Sequence, residues 1–162
     1  MIFTGYEIVW LFFVYAFLGW ILETVTAAAK QKRFVNRGLI NGPVCVIYGI
    51  AAVLITVALQ ELKGFWLFLG ILILTTVLEW TAGHLIEKMY HEKWWDYSQI
   101  RWNLDGYICL PVSLCWGILG MIVMKWGNPL LLKLYGIIPT LPGKIMVWSL
   151  LILLAVDVQN EF

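Results

Sequence analysis

Two glutamates, Glu23 and Glu79, fall inside long apolar runs where a carboxylate is costly. On insertion scales an acidic side chain at the centre of a membrane helix costs roughly 2.5–3.5 kcal/mol. Each is followed by several more helix-compatible residues at about 1.5 Å apiece, so each is expected about two turns below a membrane face. Paired there, the two carboxylates would form an acidic pocket for a cation or a proton. Arg37 and Arg101, in the loops that follow, are the competing partners. Trp20 and Trp80 stand next to the glutamates. The aromatic stretch Trp94-Trp95-Asp96-Tyr97-Ser98 and the later Asn103 add ring faces and hydrogen-bonding groups. Ring faces beside a carboxylate can cage an organic cation, although Trp and Tyr also gather at membrane interfaces because one edge is polar.

A second constellation is His84-x-x-Glu87-x-x-x-His91, whose three- and four-residue steps put all three side chains on one helix stripe. That spacing suits a divalent metal and hence a metal-dependent membrane enzyme. A polar stripe at a helix end also simply faces water. The three serines lack a nucleophile-elbow context. The chain has no P-loop with which to hydrolyse ATP. Cys45, Cys109 and Cys115, odd in number and without C-x-x-C spacing, read as small helix-packing residues.

The elements that must position these groups follow from composition. Of 162 residues, 62% are hydrophobic and 13% charged, with mean hydropathy +0.85. A soluble domain of this size cannot bury so much apolar surface, and the expectation is an all-α, polytopic membrane bundle. A net charge of +1 argues against nucleic acid as a partner. Apolar runs long enough to span predict helices over 7–29, 43–59 (a short one), 65–89, 107–125 and 141–158, within a single transmembrane domain. Residues 126–139, broken by Gly and Pro, read as interfacial or re-entrant. Asn41-Gly42-Pro43 is a helix-start signal, with Asn41 as cap and as a further candidate for the solute-binding pocket. Asp105 is a candidate cap for the fourth helix, and Pro111 is expected to kink it. The loops after the first and third helices hold seven Lys and Arg against four on the other side. This bias predicts an N-terminus outside and a C-terminus in the cytoplasm.

The chain also echoes itself. LGWILETV, a basic loop and NGPVCVIYGI are followed by TTVLEWTA, a longer loop and DGYICLPVSLCWGI. Glu23 aligns with Glu79, Cys45 with Cys109, and Tyr48-Gly49-Ile50 with Trp116-Gly117-Ile118 after a four-residue insertion. This is the pattern of a parallel two-fold repeat of helices one–two and three–four, common in transporters.

The blocks FVNRGLINGPVCVIYG, LEWTAGHLIEKMYHEKWWDYS and NLDGYICLPVSLCWGILG resemble the type IV ABC-transporter permease family (CmpB-like bacterial membrane proteins), over about Leu18 to Lys125. The resemblance implies a small permease-like protein of the bacterial plasma membrane, working with an ABC ATPase or another subunit. His84 and His91 stand outside the family pattern. The leading expectation is binding or movement of a small, cationic solute, in contact with membrane lipids and as a homo-oligomer. The alternatives are a non-transporting scaffold or lipid-binding subunit and the metal-dependent enzyme.

Overall fold

Thr4 opens the first helix, α1 (Gly5–Gln31), through a capping box. Its side chain accepts from the Glu7 N–H at 3.3 Å, while the Glu7 carboxylate accepts from the Thr4 N–H at 2.7 Å. Two of the orphan donors of the first turn are thereby satisfied. In the computed structural model, which describes residues 3–36, 38 and 42–161, with side chains to Gln159, the chain continues as α2 (Val46–Ala58) and α3 (Gly64–Tyr90). A two-stranded antiparallel hairpin follows, β1 (Asn103–Leu104) and β2 (Ile108–Cys109), then α4 (Leu110–Ile122), a π-helical turn (Val123–Gly127), α5 (Asn128–Ile137) and α6 (Thr140–Glu161).

The protein is an all-α polytopic bundle. Among the described residues, four stretches are long and apolar enough to cross a membrane: Gly5–Gln31, Gly64–Tyr90, Leu110–Ile137 and Thr140–Gln159. The residues expected to be interfacial or re-entrant, 126–139, are helical and continue α4 through the π turn. At 13 residues, α2 spans about 20 Å, short of the ~30 Å hydrocarbon core.

The chain divides into two compact units, Met1–Val53 with Asn128–Phe162, and Leu54–Gly127. In the first, Leu11, Phe13, Tyr15 and Ala16 of α1 are buried. The Tyr15 hydroxyl donates to Asn128 Oδ1 at 2.9 Å and the Trp10 indole to the Leu131 carbonyl at 2.9 Å, which fixes α5 against α1. The Gly42 N–H donates to Asp157 of α6 at 2.7 Å.

After α1 the chain folds back along it. The Cys45 N–H donates to the Ala16 carbonyl at 2.9 Å, and α2 begins there, fifteen residues or about 22 Å from the end of α1. Gly19 permits this approach, because a Cβ there would collide with the Tyr48 ring.

The second unit repeats the device. Residues 91–109 return along α3, with Trp95 beside Gly83 and Tyr97 beside Glu79. The hairpin turns at Asp105-Gly106, both at positive φ (53° and 76°), as a primed hairpin turn requires. Asp105 therefore serves the turn and does not cap α4, whose N-cap is Cys109. Pro111 lies in the first turn of α4, where its missing N–H is of no consequence. The expected kink has no cause because the helix starts later than the apolar run suggested.

The same packing recurs inside each unit. A Cβ on Gly49 would lie 2.7 Å from Phe12, and one on Gly117 would lie 2.7 Å from Phe68. Phe12 and Phe68 each precede their glutamate by eleven residues. The sequence echo is thus matched by equivalent side-chain packing.

Candidate functional site

Each glutamate meets an aromatic donor from the helix that starts beside its own. In the first unit the Tyr48 hydroxyl of α2 donates to Glu23 Oε1 at 2.6 Å. In the second, the Trp116 indole N–H of α4 donates to Glu79 Oε1 at 3.3 Å, and the Tyr97 hydroxyl donates to the same oxygen at 3.0 Å. Glu79 is only 7% exposed. Bonds of this kind to an ionised carboxylate each contribute about 1.5–3 kcal/mol, which orients the carboxylate and offsets part of its burial. Residue type and spacing alone do not single out Tyr48 and Trp116 for chemistry. The signal that finds them is the echo itself, which aligns Tyr48-Gly49 with Trp116-Gly117.

The other expected residues fall in several places. The Trp20 indole donates to Asn36 at 2.7 Å, and its ring stacks on Phe17 at 6.0 Å. Trp80 packs against His84, ring centroids 4.1 Å apart, and is 39% exposed. Trp94 lies 5.8 Å from the Tyr90 ring. Arg101 lies over its neighbour Trp102 at 5.5 Å, a cation–π contact, while the described donors to Glu79 are Tyr97 and Trp116. Arg37 and Asn41 lie outside the described residues.

The aromatic loop is held by its own polar groups. Asp96 accepts from the Ser98 N–H at 2.9 Å and the Ser98 hydroxyl at 3.0 Å. These bonds, backbone first, hold its carboxyl below the ordinary aspartate range. The Trp95 indole donates to the Tyr107 carbonyl at 2.9 Å, and the Asn103 amide donates to the Ile100 carbonyl at 2.7 Å. Asn103 Oδ1 accepts from the Gly106 N–H at 3.1 Å. A Cβ on Gly106 would lie 2.5 Å from Asp96 Oδ1. Asp96, Asn103 and Trp95 are therefore ties that aim Tyr97 at Glu79.

The histidine stripe is occupied differently from a metal site. His84 sits between the rings of Trp80 and Tyr107, at 4.1 and 3.9 Å, with Nδ1 2.9 Å from the Trp80 carbonyl. Glu87 accepts from the Tyr107 hydroxyl, which raises that phenol's pKa, and Lys93 lies over the same ring at 4.3 Å. His91 closes α3 in the left-handed conformation, φ 58°. Among the described residues no three His, Cys, Asp or Glu side chains converge as ligands. Cys45 and Cys109 are buried, as packing residues would be, but Cys115 is exposed.

A family model described as "Putative ABC-transporter type IV" matches residues 10–161. No curated protein and no solved structure matches the chain. The chain belongs to that family, and it is an ABC-transporter-related membrane protein with several spanning helices.

Proposed function

We propose that this member of the ABC-transporter type IV family is a permease-like subunit that binds, and with its partners moves, a small solute. The observation that carries the reading is the recurrence of one arrangement in both units. A carboxylate at the aligned position of each half accepts from an aromatic side chain on the helix that begins beside it, Tyr48 with Glu23 and Trp116 with Glu79. Carboxylates within spanning segments mark solute and proton paths. Negative charge walled by Trp and Tyr suits a cation, and an organic one gains from the ring faces.

Energy would come from an ATPase on another chain, since no P-loop occurs in this sequence. In this reading the protein lies in a bacterial plasma membrane as a homo-oligomer or subunit, with the Lys- and Arg-rich loops after α1 and α3 in the cytoplasm.

A second reading, a non-transporting scaffold or lipid-binding subunit, draws on the exposed aromatic surface of the second unit, where Trp102 is 66% exposed. A thermal-shift panel on detergent-purified protein separates the two. Binding to the folded state raises stability by about 2.7 kcal/mol at a hundredfold excess over Kd. Stabilisation by choline, tetramethylammonium or putrescine supports the solute site. Stabilisation by phospholipids alone supports the scaffold.

A further inference from the structure

The second unit contains a pocket of about 330 Å³ where the start of α4 faces α3 and the hairpin. The volume is at the lower end of small-molecule sites. Its apolar wall includes Leu72 of α3 and Leu110 of α4, and Trp102 stands at its rim, 66% exposed. Four polar side chains also line it: the Thr76 and Ser113 hydroxyls, the Cys109 thiol and the Asn103 amide, the last already bonded to the Ile100 carbonyl and the Gly106 N–H. Ser113 is 3% and Cys109 2% exposed. Thr76 Oγ1 is buried and has no hydrogen-bond partner. A buried hydroxyl in that position is destabilising unless something bonds to it. It is therefore an observation about a ligand, independent of the helix start beside it.

None of the lining residues is charged, and an ion left uncompensated in such a site would be expelled. A hydroxyl group on the ligand answers every polar group present. It can donate to and accept from Thr76 and Ser113. At roughly 30 Å³ per water-sized heavy atom, the volume corresponds to about eleven such atoms.

We infer that this pocket binds an uncharged amphiphile, a single hydroxyl on an aliphatic body of about ten carbons, with the hydroxyl against Thr76 and Ser113. The inference does not rest on the carboxylate reading, because neither glutamate lines the pocket.

The test is photolabelling of the protein in phosphatidylcholine nanodiscs with a diazirine-bearing ten-carbon alcohol, mapped by mass spectrometry. The expected adducts fall on the pocket-lining segments 102–104 and 108–113, saturate, and are displaced by 1-decanol. In Thr76→Val, which keeps the side-chain shape, the concentration needed for half-labelling rises about five- to tenfold, the worth of one hydrogen bond. Ser113→Ala gives a similar rise and Ser113→Leu, which fills the space, abolishes the adducts. The inference is overturned if a hydroxyl-free diazirine alkane labels the same segments equally well. It is likewise overturned if Thr76→Val and Ser113→Ala both label like the wild type, or if adducts spread evenly over the lipid-facing helices.

Discussion

The Tyr48 hydroxyl stands 2.6 Å from Glu23 Oε1, and the residue that aligns with Tyr48 in the second half of the chain, Trp116, bonds the aligned glutamate. The two donors differ in chemistry, O–H against N–H, while the carboxylate and the glycine after the donor are unchanged. What the repeat preserves is a carboxylate on the long helix bonded by an aromatic donor on the next one.

Removing one donor should loosen that carboxylate without unfolding the protein. Tyr97→Phe deletes a bond to Glu79 and is expected to lower stability by about 1.5–3 kcal/mol, the range for bonds to charged groups. Denaturant or thermal unfolding of the purified variant measures it. A change within about 0.5 kcal/mol, typical of an ordinary surface substitution, would show that Tyr97 does not hold Glu79.

The two equivalent glycines should respond unequally to alanine. At Gly49 the new Cβ would lie 2.7 Å from the Phe12 backbone carbonyl as well as its ring, whereas at Gly117 it would meet only the Phe68 ring. A ring can tilt and a helix backbone cannot, so Gly49→Ala is the more damaging, by about 1 kcal/mol or more within the overpacking range. Both substitutions recover roughly 1 kcal/mol through helix propensity, which leaves the difference between them unchanged. Equal melting temperatures would contradict the packing geometry.

Pro111→Ala should be nearly neutral, within about 0.5 kcal/mol. At the first turn of α4 the proline displaces no helical hydrogen bond. Marked stabilisation by this substitution would indicate a strained, interior proline instead.

Asp96 supplies a pH prediction. Its folded pKa is lowered, first by the Ser98 backbone N–H and then by the Ser98 hydroxyl. The ionised form is thus favoured in the folded state. The stabilisation is complete above the unfolded aspartate value, near 3.9, and is lost as the pH falls through the lower folded value. Asp96→Asn should flatten the acid limb of the stability curve below about pH 4 and leave the neutral region unchanged in slope. An acid limb identical to that of the wild type would remove Asp96 from the account.

The spanning helices were legible because runs of apolar residues admit few other fates. α1 and α3 extend one or two residues beyond the expected limits at each end. Thr4-x-x-Glu7 is a capping-box signature that sets the earlier start of α1, although the first helix was expected from Glu7. The later ends rest on Lys32 and His91, which adopt the left-handed conformation at φ 53° and 58°. Neither residue type advertises that conformation, which glycine usually supplies. The fold-back of residues 91–109 was not legible either. Its aromatic residues read as an interfacial loop until Asn103, Asp96 and Lys93 are seen bonding within the segment. Asp105-Gly106 is a primed-turn dipeptide, but the flanking strands are two residues each, too short to show alternation.

The candidate site was half legible. Burial cost alone nominated Glu23 and Glu79, and Tyr97 stood among the expected aromatic residues. The indoles of Trp20, Trp94 and Trp95 are directed elsewhere, to Asn36, Tyr90 and Tyr107. Adjacency in sequence is a poor guide on a helix, where consecutive side chains point about 100° apart; Trp80, next to Glu79, packs on His84 instead. The donor on the following helix is found through the repeat.

The most direct test compares tetramethylammonium-induced thermal shifts for the wild type, Glu23→Gln, Glu79→Gln and the double variant. Glutamine keeps the shape and the capacity to accept from Tyr48, Tyr97 and Trp116 while removing the charge. The account predicts a saturable shift in the wild type that is reduced in each single variant and absent in the double. Undiminished binding in both single variants would contradict a carboxylate-centred site and leave the glutamates a purely structural role.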